Sequence, residues 1–344
     1  MAVRLNSLSH AQVLVEVRDS SDVSEVRRAA GRVASDENFT EIDSGNVALV
    51  ATELATNLVK HARNGRMIMR LLEHGQDAGV EMIALDNGPG IRDVAQSLRD
   101  GYSTAGSPGT GLGAIKRLAW QFDLHSTPDK GTAVLARLWR GRRPALDRGA
   151  VFGVIHLPMP GQDVSGDGWG IEDLKDKLSC VLVDGLGHGP DAARAARAAL
   201  LTANEYRDKA PAEIIERSHG VLRSTRGAAV AIGEIDPARR LVRFCGVGNI
   251  SATIVNEDGI RHLVSYNGIV GQEARKIAEF TYPWTARSLL IMHSDGLTAR
   301  WDIRNYPALL QRHPALVAAV LYRDFSRGRD DMTVLVARER DSAL

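Results

Sequence analysis

The sequence predicts an α+β protein of two domains. Three observations lead there. Amphipathic helix and strand patterns alternate from about residue 11 to residue 139. A basic stretch with no apolar period, "RGRRPALDRGA" at 140–150, then interrupts them. Strand and helix patterns restart after it, and 344 residues exceed what one small core usually organises. The expected layout is a first domain over 1–139, a linker over 140–150 and a second domain over 151–344.

The elements follow in order. "AQVLVEV" reads as a strand, and "SSDVSEVRRAAGRVASDEN" as a helix with Ser20, Ser21 or Asp22 as cap candidates. "DSGNVALVATELATNLVKHA" is a stronger helix, because Val47, Val50, Ala51, Leu54 and Leu58 recur at helical spacing. "GRMIMRLLEHG" and "GVEMIALDNG" read as two strands. "GLGAIKRLAWQF" reads as a helix with Leu112, Ile115, Ala119 and Phe122 on one face, and "GTAVLARLW" as a closing strand. Beyond the linker come strands at 151–155, "LSCVLV", 228–235, 240–246, 251–255 and 288–293. Helical "PDAARAARAALL" and "PALVAAVLYRDF" and a last strand "MTVLVARE" complete the second pattern.

Composition narrows the function. Apolar residues make up 44% and charged residues 25%, with a net charge of +1. That balance predicts neither a nucleic-acid surface nor a membrane patch. Cys180 and Cys245 sit in apolar strand-like runs, which suits a reducing cytoplasm better than a disulfide framework. The opening "MAVRLNSLSH" lacks the apolar core of a signal peptide, and no run approaches bilayer length. A cytoplasmic location is the expectation.

The first cluster of chemistry-bearing residues lies in the N-terminal half. Glu53, Asn57 and His61 are spaced four apart on one helix and share a face. An acid and an amide there can orient a nucleophile and hold a cation, though a plain polar face has the same pattern. Asp86 ends a strand and opens "DNGPGI", where Gly88 and Gly90 leave room for close approach to the backbone. A Pro-Gly turn would also explain it. "GTGLG" places Gly109, Gly111 and Gly113 at the start of a helix, offering N–H groups and the positive dipole end to phosphates. No Lys-Ser/Thr follows, so it is not a P-loop.

The second cluster consists of aspartates at strand ends: Asp167 in "SGDGWG", Asp184 in "VDGLGHG", Asp295 in "SDG", and Asp330 and Asp331 in "RDDMTV". Each Asp-Gly alone reads equally as a turn. Carboxylates gathered at one sheet end repel unless cations lie between them, and oxygen-only donors suit Mg²⁺ or Mn²⁺.

Taken in order, "ELATNLVKHA", "DNGPGI", "GTGLG" and "GTAV" resemble the four boxes of the GHKL ATPase/kinase superfamily, the Bergerat fold, over about residues 10–140. The stretch "DGYSTAGSPGTGLGAIKRLAWQFDLHSTPDKGTAV" resembles the serine/threonine switch kinases of bacterial partner-switching and stressosome systems. The resemblance implies an α/β sandwich that binds ATP and Mg²⁺. Asn57 would ligate the Mg²⁺, and Glu53 would act as catalytic base. Asp86, supported by Thr132, would bind adenine beside Gly88 and Gly90. Gly109, Thr110, Gly111, Leu112 and Gly113 would cradle the phosphates, and 92–108 would form a lid. Histidine-kinase relatives place a phosphoacceptor helix upstream, and His10 is not in such a helix, so a protein hydroxyl is the expected acceptor.

The set "SGDG", "VDGLGHG", "SDG" and "RDDMTV" resembles the PPM (protein phosphatase 2C) superfamily in its SpoIIE-type branch, over about 150–339. This implies an αββα sandwich with two Mn²⁺ or Mg²⁺ ions. Asp184 would be the catalytic bridging ligand, the Gly185 carbonyl a ligand, Asp295 and Asp330 the remainder, and Asp167 direct or water-mediated. No arginine stands where the eukaryotic relatives keep their phosphate clamp. His188 is out of step with their "DGHG" histidine, and His156 and His293 read as structural. "CGVGNIS" reads as a tight connection whose Gly246, Gly248 and Asn249 serve positive φ.

Together the resemblances imply a bifunctional signalling enzyme, a Ser/Thr protein kinase joined to a Ser/Thr phosphoprotein phosphatase. A STAS-domain protein is the implied substrate, within a sigma-regulatory or stressosome complex. The alternative is a nucleotide-gated, anti-sigma-like binding module with a regulatory phosphatase domain.

Overall fold

A computed structural model describes residues 12–35, 39–74, 77–98, 111–141, 150–174 and 176–339. The chain forms two compact units, one from His10–Leu146 with Asp302–Arg323 and the other from Asp147–Trp301 with Asp324–Leu344.

The first unit begins with β1 (Val13–Val17), α1 (Ser20–Ser35) and α2 (Glu41–His61). It continues with β2 (Gly65–His74), β3 (Asp77–Leu85), the single turn α3 (Val94–Ser97) and α4 (Gly111–Leu118). β4 (Gln121–Thr127) and β5 (Gly131–Trp139) close it. The five strands lie in the order β1-β2-β3-β5-β4, each antiparallel to its neighbour. α2 is the centre of the core. Val50, Ala51, Leu54 and Ala55 are fully buried against Met67, Met69, Val80 and Met82, which alternate along the facing strands. Burying each large apolar side chain of this set contributes about 1.5–3 kcal/mol.

Two helix starts differ from the sequence expectation. Ser21 N–H donates to Asp19 Oδ1 at 2.8 Å, so Asp19, one residue before Ser20, takes the capping role at α1. α2 starts earlier than "DSGN", at Glu41, because Thr40 Oγ1 accepts from Asp43 N–H at 3.1 Å. The expected helix "GLGAIKRLAWQF" stops at Leu118, and Phe122 belongs to β4. There Gln121 pairs with Arg137 and Thr127 with Gly131, and this hairpin with β5 outweighs the helical spacing of Phe122.

The second unit has two sheets. β6 (Ala150–Leu157), β7 (Asp167–Leu174) and β8 (Lys177–Gly185) lead to α5 (Pro190–Glu205) and α6 (Pro211–Val221). β9 (Ala228–Asp236), β10 (Leu241–Val247), β11 (Ser251–Asn256), β12 (Gly259–His262), β13 (Phe280–Pro283) and β14 (Leu289–His293) follow. β15 (Met332–Glu339) ends the unit, and α7 (Pro314–Phe325), which precedes it in the chain, belongs to the first unit up to Arg323. One sheet runs β13-β10-β9-β8-β7 and the other β12-β11-β14-β15-β6. Leu182, Phe244, Leu290, Met292 and Leu335 interdigitate in one buried core. The opposite face of the first sheet packs Val183 and Val230 on Ala195, Ala199 and Ile215 of α5 and α6. Cys180 and Cys245 are free and buried, and burial pushes both thiols up to about 12. Among the described residues no helix is long and apolar enough to cross a membrane.

Segment 302–323 belongs to the first unit through its own bonds. His313 N–H donates to Asp123 Oδ2 at 2.7 Å, and Lys130 Nζ to the Asn305 carbonyl at 2.9 Å. The Arg66 guanidinium lies 5.5 Å from the Tyr322 ring centre. Arg66, Asp123 and Arg137 alternate with the strand residues that face α2, so the segment meets the sheet face turned away from that helix. On that face Glu81 is buried between two arginines. Arg70 Nε donates to Oε1 at 2.6 Å and Arg137 Nε to Oε2 at 2.7 Å.

Candidate functional sites

In the first unit the described site residues converge around the start of α4. A Cβ placed on Gly111 would lie 3.4 Å from both Asn57 Nδ2 and Oδ1 and 3.5 Å from Glu53 Oε2. The first free N–H groups of α4 therefore stand over the Glu53–Asn57 face of α2. Gly113 is buried and Leu112 half-buried behind it. Asn57 Nδ2 is buried with no hydrogen-bond partner among the described residues. A buried amide left unpaired costs about 1–3 kcal/mol, which a polar ligand at this point would relieve. Gly109, Thr110, His10 and lid residues 99–108 lie outside the described residues.

Asp86 sits at the end of β3 on a turn pinned from several directions. Its N–H donates to the Thr132 carbonyl at 3.0 Å, and its Oδ1 accepts from Gly88 N–H at 2.6 Å. Thr132 Oγ1 is 3.0 Å from Ser126 Oγ. Burial raises the Asp86 carboxyl above the ordinary carboxylate range, opposed by the Gly88 N–H and the Arg323 guanidinium. The glycines of "DNGPGI" are required first by the chain itself. Gly90 has φ 71° and its Cβ position lies 2.4 Å from the Thr127 carbonyl oxygen, so any side chain there would collide with backbone. His61 ends α2, and its carbonyl oxygen lies 2.8 Å from the Cβ position of Gly88.

In the second unit the aspartates gather where strands end. Asp167 opens β7 and Asp184 lies opposite it near the end of β8. Asp295 follows β14 and Asp330 precedes β15. Burial and the neighbouring Asp184 raise Asp167 well above the carboxylate range. Burial, with Asp295 beside it, pushes Asp184 up to about 7. Asp330 is raised by burial and again by Asp295. Carboxylates are thus held close together, which makes each of these groups harder to ionise. Among the described residues no three His, Cys, Asp or Glu side chains already converge as a ligand set for one ion.

Neighbouring groups divide the roles. Asp167 Oδ2 accepts from Ser294 Oγ at 2.7 Å and Thr333 Oγ1 at 2.8 Å. Asp331, next to Asp330, accepts Met159 N–H and Gly166 N–H, both at 2.8 Å, and so ties two loops together. Gly185 N–H donates to the Gly166 carbonyl at 3.1 Å. Of Gly246, Gly248 and Asn249, only Gly248 has positive φ, 109°. Asn249 serves the site instead, donating from Nδ2 to Asp295 Oδ2 at 2.9 Å. His156 bonds Thr333, and His293 bonds the Ser294 carbonyl and Trp301 Nε1, so both are structural. No sequence pattern marks Ser294 and Thr333, although they lie within the "SDG" and "DDMTV" motifs, and Asn249 reads in the sequence as a turn residue rather than as a partner of Asp295.

Fold and sites together define a class: an antiparallel α/β sandwich with a glycine-headed helix over an acid and an amide, joined to a double-sheet sandwich with acidic strand ends. Comparison with known proteins agrees. Residues 16–138 match the histidine kinase-like ATPase domain, and residues 175–340 match the stage II sporulation protein E family. The chain is 32% identical over 128 residues to serine/threonine-protein kinase RsbT of Bacillus subtilis, covering 37% of this chain and 96% of that protein. It is 26% identical over 186 residues to phosphoserine phosphatase RsbX of the same organism, covering 54% and 92%. A solved structure described as "The bacterial stressosome: a modular system that has been adapted to control secondary messenger signaling" is similar at 26% identity. It covers 55% of this chain and 99% of its own, with a TM-score of 0.52.

The chain belongs to the histidine kinase-like ATPase family through its N-terminal residues and carries a SpoIIE-type PPM phosphatase domain after them. It is an enzyme of the partner-switching kind, with a GHKL-type serine/threonine kinase domain and a PPM-type serine/threonine phosphatase domain.

Proposed function

We propose that one chain carries two opposing activities, ATP-dependent phosphorylation of a protein serine or threonine and hydrolysis of such a phosphoester. The substrate is a STAS-domain protein within a sigma-regulatory or stressosome assembly. The unpaired Asn57 amide under the glycine start of α4 supports the kinase half most directly. Asn57 would hold Mg²⁺ on the nucleotide, Glu53 would accept the proton of the substrate hydroxyl, and Asp86 would accept the amine of adenine. Gly109 to Gly113 would lie along the phosphates.

The donor set of the second unit fits hard divalent cations. Asp184, the Gly185 carbonyl, Asp295 and Asp330 would share two Mn²⁺ or Mg²⁺ ions, with Asp167 behind them. Such ions supply electrophilic charge for phosphoester hydrolysis when bound. The chain's own part is to hold carboxylates that resist ionisation together until cations balance them, and to orient Asp167 through Ser294 and Thr333.

Transfer of label from γ-labelled ATP to a STAS-domain protein tests the reading. Asn57→Ala should abolish transfer and leave hydrolysis of p-nitrophenyl phosphate intact. Tight nucleotide-dependent binding of a partner without any label transfer would favour the binding-module alternative. Equal loss of both activities in Asn57→Ala would sink the assignment of two independent sites.

A further inference from the structure

The turn that carries Asp86 is fixed by a residue from far along the chain. Arg323 Nη1 donates to the Asp86 carbonyl oxygen at 3.0 Å, across 237 residues of sequence. Arg323 is buried, at 7% exposure, near the end of α7. The same carbonyl packs against Gly131, whose Cβ position lies 2.0 Å from it. Asp86 is thereby held at its N–H by Thr132, at its carboxylate by Gly88 and at its carbonyl by Arg323. Arg323 lies inside the residues that match the phosphatase family, yet it is part of the unit that contains the nucleotide-binding residues.

We infer that Arg323 is a positioning residue for nucleotide binding: it sets the Asp86 turn at the place where the carboxylate meets the amine of adenine. The inference rests on the reading of Asp86 as the adenine acceptor. A buried guanidinium bonded to a carbonyl is a strong, directional restraint. Without it the Asp86 carbonyl loses its side-chain donor. The Asp86 N–H and carboxylate keep their Thr132 and Gly88 bonds, and Asn87 N–H its bond to the Arg63 carbonyl at 2.9 Å, but the distance from the carboxylate to the base is no longer fixed from the carbonyl side. The phosphate end of the nucleotide is held elsewhere, at α4, so the loss should fall on recognition of the base. Being contributed from the C-terminal half, Arg323 also makes the kinase site depend on residues that the isolated N-terminal sequence lacks.

The test uses the full-length chain and measures binding of ATP and of inosine triphosphate, which carries an oxygen in place of the amine. Arg323→Met should weaken ATP about tenfold while leaving inosine triphosphate unchanged, so that the ratio of the two affinities falls about tenfold. Arg323→Lys, which keeps a donor but not the planar fork, should recover part of the ratio. If Arg323→Met does not fold, Arg323→Lys carries the measurement with a smaller fall in the ratio. An unchanged ratio in either folded variant, or equal weakening of both nucleotides, overturns the inference. Asp86→Asn is the control for the underlying reading. Loss of discrimination there together with an unchanged ratio in Arg323→Met removes only Arg323's role. Unchanged discrimination in Asp86→Asn removes the adenine assignment itself.

Discussion

Asp167 and Asp184 face one another across the β7–β8 ladder, paired residue to residue; Asp184 raises the cost of ionising Asp167, and Asp295 that of ionising Asp184. A folded-state value of about 7 for Asp184 lies above the ordinary 3.8. Between those limits the folded chain binds more protons than the unfolded one, so the metal-free protein should lose stability as pH rises from about 4 to about 7. Divalent cations that balance the charge should reverse that trend. Melting curves of the full chain with EDTA or with added Mn²⁺ measure it, and the metal-induced rise in Tm should be largest near pH 7 and above. Asp184→Asn removes the charge with little change of shape. It should flatten the pH trend and abolish both the metal-induced rise and hydrolysis of p-nitrophenyl phosphate, while ATP binding persists. Hydrolysis by the wild-type chain that is undiminished in excess EDTA would end the metallophosphatase reading.

The adjacent pair Asp330 and Asp331 should separate in their effects. Asp331 satisfies two backbone N–H groups, of Met159 and Gly166, and is itself buried. Asp331→Ala should destabilise the second unit on the order of 3 kcal/mol, because two backbone donors lose their acceptor. Asp330→Ala should leave stability in EDTA nearly unchanged and cost phosphatase activity. Denaturant titration beside an activity assay checks both, and identical effects of the two substitutions would contradict the division of labour.

Gly111 offers a cleaner test of the nucleotide site. Its Cβ position sits 3.4 Å from the Asn57 side-chain amide, tight but not in collision with backbone. A branched side chain there would fill the space between α4 and the Glu53–Asn57 face. Gly111→Val should weaken ATP at least tenfold, about 1.4 kcal/mol, with a folded chain and normal phosphatase activity. Unaltered ATP binding by calorimetry would take Gly111 out of the phosphate-binding loop.

What could be read from the sequence was what lies close together in it. The spacing of Glu53 and Asn57, the glycines before Leu112 and the aspartates at strand ends are local patterns tied to local geometry. The structure places Glu53, Asn57 and Gly111 together. It brings Asp167, Asp184, Asp295 and Asp330 within electrostatic reach of one another. β4 was hidden because Phe122 continues a helical spacing from Ile115 and also alternates with Leu124 as a strand does, and only pairing with β5 decides between them. Asn249 with Asp295, and Arg323 with Asp86, join residues 46 and 237 positions apart. No periodicity reports such pairs, because each partner is an ordinary polar residue until the chain folds.

Glu81 should show a pH dependence opposite in sign to that of Asp184. Burial opposes its ionisation, but Arg70 and Arg137 outweigh burial and hold the carboxyl down at about 2, against an ordinary 4.5. Its depressed value means that the ionised form stabilises the fold fully above about pH 4.5 and that this contribution disappears as pH falls through 2. The pH-linked difference is on the order of 3 kcal/mol. Glu81→Gln keeps the shape and removes the charge, leaving two buried guanidinium groups without their shared carboxylate. It should destabilise the first unit by about 3–5 kcal/mol at neutral pH, since unbalanced buried charge costs more than a lost surface pair. It should also flatten the stability profile between pH 5 and pH 2. Urea unfolding across that range, for wild type and variant, measures both effects, and parallel profiles would show that Glu81 is not the group whose protonation unlocks this face of the sheet.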